Sequence, residues 1–355
     1  MLTPRNAVFA LTIVAGLAPV FAATPVTAPR TDWQESVQAD EPAFFAGLAK
    51  EFNAMQDAAA AEAGGPVDRG FHAKPHAVVR AELKVDDNLP EPYRQGAFAK
   101  ATTYKMWLRM SNGQGKRQAD RSGDIRGFAV KILDVPGESL TAGLHSLDFL
   151  CINHAAQPAR DIHQFIALVR AASHPLTAPI KLAAAVGIRE ATRLLTWVAT
   201  HLGKRIASTT TLDYFSALPL TWGKYAAKVK FQAHNGEPPT AAASDENYLR
   251  HDLEARLAKG DLHWDMMVQL YQDEATTPIE DASVEWSSPF VKVGEVTVTK
   301  RDLTSAAAKA EEAEGNQLLW NPWNAPAEHR PLGSVMRARR VVYPASGAHR
   351  GATHE

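Results

Sequence analysis

Phe128-Ala129-Val130-Lys131-Ile132-Leu133 is short, rich in β-branched and aromatic residues, and bounded by Gly127 on one side and Asp134, Pro136 and Gly137 on the other. Such a run reads as a strand. Val78 to Val85, Tyr104 to Met110 and Leu147 to Ile152 share its character and are set apart by Gly, Pro, Asn or Asp clusters. Strands in such close order predict an antiparallel sheet or barrel. Further strands are expected at Tyr225 to Phe231, Leu262 to Tyr271 and Phe290 to Val298. From Ala159 the period changes, and Ile162, Phe165, Ile166 and Val169 form a helical stripe. A second helix is expected over 177–202, and Ala-rich helical segments over 33–62 and 303–314. The pattern is α+β: an antiparallel β-barrel core with inserted and appended helices rather than alternating βαβ units.

The chain has 355 residues, and 38 Lys and Arg against 39 Asp and Glu leave a net charge of −1, so nothing general attracts nucleic acid or anionic lipid. Its start departs from this average. Arg5 precedes an apolar run from Ala7 to Ala22, then Phe21-Ala22-Ala23-Thr24. The run is shorter than the roughly 20 residues of a membrane span and holds Gly16 and Pro19, so residues 1–23 read as a cleaved signal peptide. The expected product is a periplasmic protein without membrane contact, with an N-terminal helical segment over 24–65 and one domain over 66–355. Cys151 is the single cysteine, which excludes an internal disulfide and all-thiolate metal sites; in its apolar run it is expected as a core residue.

Asn112-Gly113-Gln114-Gly115-Lys116 has the wrong glycine spacing for a phosphate loop, and Arg117 stands where that loop needs Ser or Thr. His72 and His76 are four apart, but Pro75 between them speaks against a metal-binding helix.

Arg69-Gly70-Phe71-His72-Ala73-Lys74, leading into the strand at Val78, resembles the distal-histidine segment of catalases. Arg109-Met110-Ser111 resembles the family's element carrying a haem-propionate arginine and a serine bonded to the distal histidine. Asp124-Ile125-Arg126-Gly127-Phe128-Ala129-Val130-Lys131 resembles its RGFA-x-K strand. Asn153 to Asp161 resembles the segment of the distal asparagine, with Phe165 where an aromatic packs on haem. Anchoring on Arg160-Asp161 puts Ile152 in the asparagine's place, so Asn153 serves only by a shift of one residue. Arg339-Arg340-Val341-Val342-Tyr343, continuing to Arg350, resembles the proximal helix with its axial tyrosine.

The resemblance implies haem b held by Tyr343 as iron ligand, with Arg69, Arg109, Phe165, Arg339 and Arg350 around it, and His72, Ser111 and Asn153 on the peroxide side. On a helix, positions four apart share a face, so Arg339 can lie against the Tyr343 oxygen. A phenol with an ordinary pKa of about 10 is a poor ligand until ionised. One cation at about 4 Å and an effective dielectric of about 20 favours the anion by roughly 4 kcal/mol before desolvation. The implied activity is breakdown of hydrogen peroxide or organic hydroperoxides, with His72 as acid-base group of near-neutral pKa and a small organic molecule as electron donor. The resemblance stops near Glu355, so the C-terminal domain, NADPH site and interlocked tetramer of large catalases are not expected; a monomer or small homo-oligomer is. The other readings are a haem-binding or peroxide-sensing protein without turnover, rearrangement of lipid hydroperoxides, and a haem-free carrier with an empty barrel.

Overall fold

The computed structural model of the protein describes residues 28–173, 176–237 and 245–354; the expected signal peptide lies outside them. The strands are β1 Pro75–Val85, β2 Thr103–Asn112, β3 Arg126–Ile132, β4 Leu147–Ile152, β5 Tyr214–Phe215, β6 Leu220–Trp222, β7 Tyr225–Ala233, β8 Leu262–Leu270 and β9 Phe290–Val298. They run in the order β5-β4-β3-β2-β1-β9-β8-β7, and β7 returns to β5 through Tyr214↔Phe231 and Phe215↔Lys230. Eight antiparallel strands thereby close into a barrel, with β6 paired to β7 beside the ring.

Strand alternation divides the residues between the two faces of the wall. Leu108 and Met110 on β2, Phe128 and Val130 on β3, and Phe149 and Cys151 on β4 enter one continuous buried core. Phe128 lies 4.7 Å from Tyr214, 5.1 Å from Phe231 and 5.3 Å from Trp264 between ring centroids, so aromatic rings fill the barrel. A hollow between β1, β2 and the helix Tyr248–Lys259 is about 10 Å3, no more than one water occupies. The empty-barrel carrier is overturned by this packing. Cys151 is buried here, and burial pushes its thiol pKa well up.

The intervening residues face outward. Ser111 pairs with Gly127 and Gly127 with Ile152, while one pleat away Arg109 pairs with Ala129 and Ala129 with Leu150. Against this side of the molecule lie α1 (Glu41–Ala63), α2 (Ile162–Ala172) and α7 (Ser334–His349), joined by a second core that includes Phe45, Phe52, Ile166, Val335 and Val342. The helix expected over 177–202 is two: α3 (Ala178–Val186) and α4 (Ile188–His201) meet at Gly187, whose φ of 84° breaks the run. Residues 33–40 are not helical, and α6 is Ala306–Gln317. α5 (Tyr248–Lys259), β5 and β6 lay outside the sequence expectation.

Candidate functional site

His72 sits before β1 with φ 57°, a left-handed conformation that costs a non-glycine residue on the order of 1 kcal/mol and persists only where its surroundings enforce it. The enforcement is visible. Its amide donates to the Gly113 carbonyl at 2.9 Å and the Ala73 amide to that of Gln114 at 3.0 Å. The Gly113 and Gln114 amides in turn donate to Asp124 Oδ2 at 2.9 and 3.1 Å. Arg109 Nη2 donates to the His72 carbonyl at 2.7 Å, and the ring Nδ1 lies 3.1 Å from Ser111 Oγ. The loop that resembled a failed phosphate motif is therefore the seat of the histidine. Next along the chain, His76 is buried in β1 with Nε2 2.9 Å from Asn112 Oδ1; the two histidines do not form a metal pair.

Gly127 is the residue the sequence reading quoted without a role. A Cβ there would lie 2.5 Å from His72 Nδ1 and 2.8 Å from Ser111 Oγ, so only glycine lets the imidazole rest on the barrel wall. Its pairing opposite Ser111 is the signal that could have exposed it.

Three guanidiniums from distant parts of the chain converge beside this histidine. Arg69 Nη2 donates to the carbonyls of Asn316 and Leu318 at 2.7 and 3.1 Å, Arg350 Nη2 reaches Leu318 at 2.8 Å, and Arg109 Nε is 3.4 Å from Asn316 Oδ1. None of the three forms an ion pair with a carboxylate among the described residues. The acid they feel, Asp68, is bonded to Arg117 and to the Arg69 amide. Burial, then repulsion by Arg109 and Arg350, holds the Arg69 pKa well below the ordinary arginine value; burial lowers that of Arg350 and brings Arg109 down to about 10. Buried like charges without counter-ions are costly, so this cluster suits a ligand that brings carboxylates with it.

On α7, Arg339 and Tyr343 share a face as expected, but the guanidinium carbon stands 5.5 Å from the phenol ring centroid, over the ring rather than at the hydroxyl. The helix is fixed at its start. Arg337 is bonded to Glu35, Glu41 and Glu280 at 2.6 to 2.8 Å, Ser334 N donates to Glu280, and Trp323 Nε1 donates to the Met336 carbonyl at 2.7 Å. No motif in the sequence singles out Arg337.

The two walls lie within electrostatic reach of each other: His72 feels Arg339, and Arg69 feels Tyr343. His72 is deeply embedded, yet it, Phe71, Ala129, Leu150, Phe165, Arg339 and Tyr343 all keep part of their surface accessible. Phe165 on α2 meets Phe71 edge-on at 6.0 Å. Burial first, then Arg109, Arg339 and Arg69, push the His72 pKa down to about 3. The near-neutral value expected from sequence is corrected: the imidazole is a neutral base. Asn153 is not joined to His72. Its Oδ1 accepts from the Arg126 amide at 2.7 Å and its own amide donates back to the Arg126 carbonyl at 3.1 Å, which ties it to the end of β3. Ile152 lies opposite Gly127.

This donor set fits a flat apolar group with carboxylates at one edge and an acidic centre facing a phenol. No protein-family model matches the chain. It is 27% identical over 274 residues to a protein of Mycolicibacterium paratuberculosis named catalase-related peroxidase, covering 71% of this chain and 81% of the relative. Its fold is similar to that of a fungal catalase (TM-score 0.62, 17% identity, 95% of this chain, 67% of the other). A bacterial catalase (TM-score 0.59, 17% identity, 93% and 64%) and catalase A from Saccharomyces cerevisiae (0.63, 16%, 94% and 69%) are similar in the same way. The chain thus spans about two thirds of the length of those catalases. Sequence relative and fold point the same way: the chain is similar to a catalase-related peroxidase and has the fold of catalases.

Proposed function

We propose that the protein binds haem b between the outer wall of β1–β4 and α7, and that it breaks down hydrogen peroxide or an organic hydroperoxide as a catalase-related peroxidase. The observation that carries this reading is the convergence of Arg69, Arg109 and Arg350 without a carboxylate beside a neutral, enforced histidine. The haem propionates supply what the arginines lack, through charge-assisted hydrogen bonds. Tyr343 would hold the iron, with the Arg339 guanidinium over its ring. Haem, when bound, supplies the iron at which the peroxide O–O bond is split.

The protein's own part is proton handling and exclusion. Ser111 Oγ lies against His72 Nδ1 and a backbone contact with Asn112 steadies the ring, so Nε2 is the nitrogen assigned to take a peroxide proton and return it to the leaving oxygen. Phe71 and Phe165 keep this space apolar. With Asn153 tied to Arg126, His72 handles the proton alone, which favours one peroxide per cycle and a separate small organic reductant over disproportionation. Export to the periplasm after removal of residues 1–23 belongs to the same proposal, and the N-terminal sequence of the secreted chain tests it.

Haem-loaded protein is to be followed for peroxide loss and dioxygen release together. The reading expects peroxide loss that depends on an added organic donor, with little dioxygen. His72→Ala should keep haem and lose at least about 100-fold in rate. Stoichiometric dioxygen would make the protein a catalase, and no peroxide loss would leave a haem-binding or sensing role.

A further inference from the structure

The corner formed by α3 and α4 carries features that the candidate site does not use. Ile180 and Ala184 are exposed on one face of α3; Leu176 stands just before that helix and Ile188 just past its end. Leu176, Ile180 and Ile188 are 99%, 74% and 79% exposed, against an otherwise well-covered set of large apolar side chains. Isolated exposed apolar residues need no explanation, but three large ones within 13 residues of sequence, on and beside α3 and at the start of α4, mark a contact surface.

The charge around them is one-sided. Residues 162–212 hold six Lys and Arg and one acid, Glu190, in a chain whose net charge is −1. Glu190 is already engaged by Arg160 and Arg193. Lys181 and Arg189 directly follow Ile180 and Ile188, are exposed, and belong to no ion pair among the described residues. Exposed apolar side chains with neighbouring cations are the chemistry of a segment that lies in a membrane interface. No helix among the described residues is long and apolar enough to cross a membrane.

We propose that this corner seats the protein on the surface of a bilayer containing anionic phospholipid. Leu176, Ile180 and Ile188 enter the boundary between headgroups and acyl chains, and Lys181 and Arg189 meet lipid phosphates. This departs from the expectation of no membrane contact after removal of residues 1–23, which rested on the cleaved leader and on the balanced charge of the whole chain. A second copy on the same face would bring Lys181 and Arg189 against their own kind, which disfavours self-pairing.

The test is co-sedimentation of the full mature chain with vesicles of equal parts phosphatidylglycerol and phosphatidylcholine, and with vesicles of phosphatidylcholine alone. Binding is expected only to the first, and weaker in high salt. Ile180→Asp should weaken it about tenfold, and Lys181→Glu with Arg189→Glu should abolish the preference for phosphatidylglycerol. Ile180 is exposed, so an unchanged far-ultraviolet circular dichroism spectrum is expected for each variant. Equal binding to both vesicles, or binding unaltered in both variants, overturns the proposal. So does dimerisation without vesicles that Ile180→Asp abolishes, which would assign the face to a second copy.

Discussion

The two walls of the candidate site are held by different means. On the barrel side, His72 is fixed by short-range backbone geometry: Gly113 and Gln114 carbonyls, the Arg109 contact, Ser111, and the bare surface of Gly127. On the helical side, Tyr343 is placed from a distance. Arg337, two turns earlier, anchors α7 through three glutamates, while the nearer Arg339–Tyr343 contact is a guanidinium over a ring with no hydrogen bond. A segment seated on a sheet is held by many short bonds, whereas a helix can be locked at one end and present its far turn to a ligand.

The strongest way to break this contrast is at the helical anchor. Arg337→Ala leaves Glu35, Glu41 and Glu280 facing one another in a half-buried site, and should cost about 3–5 kcal/mol of stability. Denaturant unfolding of the haem-free chain measures it; a cost under about 1 kcal/mol would show that α7 is held elsewhere. Gly127→Ala probes the other wall and should be smaller in stability, about 1–3 kcal/mol from overpacking, but larger in chemistry, because the imidazole must leave its seat. Peroxide turnover falling with haem content unchanged would confirm it, and equal turnover would contradict the role of the bare wall. Smallest is Arg350→Met. Removing one of three crowded cations should leave the haem-free chain as stable or slightly more so, yet weaken haem binding about tenfold through the lost charge-assisted bond. A haem titration and a melting curve give the two opposite signs.

The barrel was legible because its strands are apolar, short and punctuated: β4 and β9 fall where Leu147 to Ile152 and Phe290 to Val298 were read. α5 was missed because its buried stripe, Leu249, Leu253 and Leu257, is interleaved with charges that pair outward, such as Arg250 with Glu254 and Glu312. Gly187 stood in plain view inside the expected helix over 177–202, but only its positive φ shows that it ends one helix and begins another. In the site, Arg69, Arg109, His72, Ser111, Arg339, Tyr343 and Arg350 were readable through resemblance, and the structure gathers them. The carbonyls of Asn316 and Leu318, where Arg69 and Arg350 meet, were not readable, since backbone atoms carry no sequence signature. The low pKa of His72 was equally hidden, because it arises first from burial and then from Arg109 and Arg339, far along the chain, with neighbouring Arg69 adding least.

The central claim is that Tyr343 meets a haem iron across from His72. The most direct measurement is the absorption and electron paramagnetic resonance spectrum of the ferric haem-loaded protein beside that of Tyr343→Phe. The account predicts a high-spin, phenolate-ligated iron that loses its phenolate signature in the variant; identical spectra from the two proteins would contradict it.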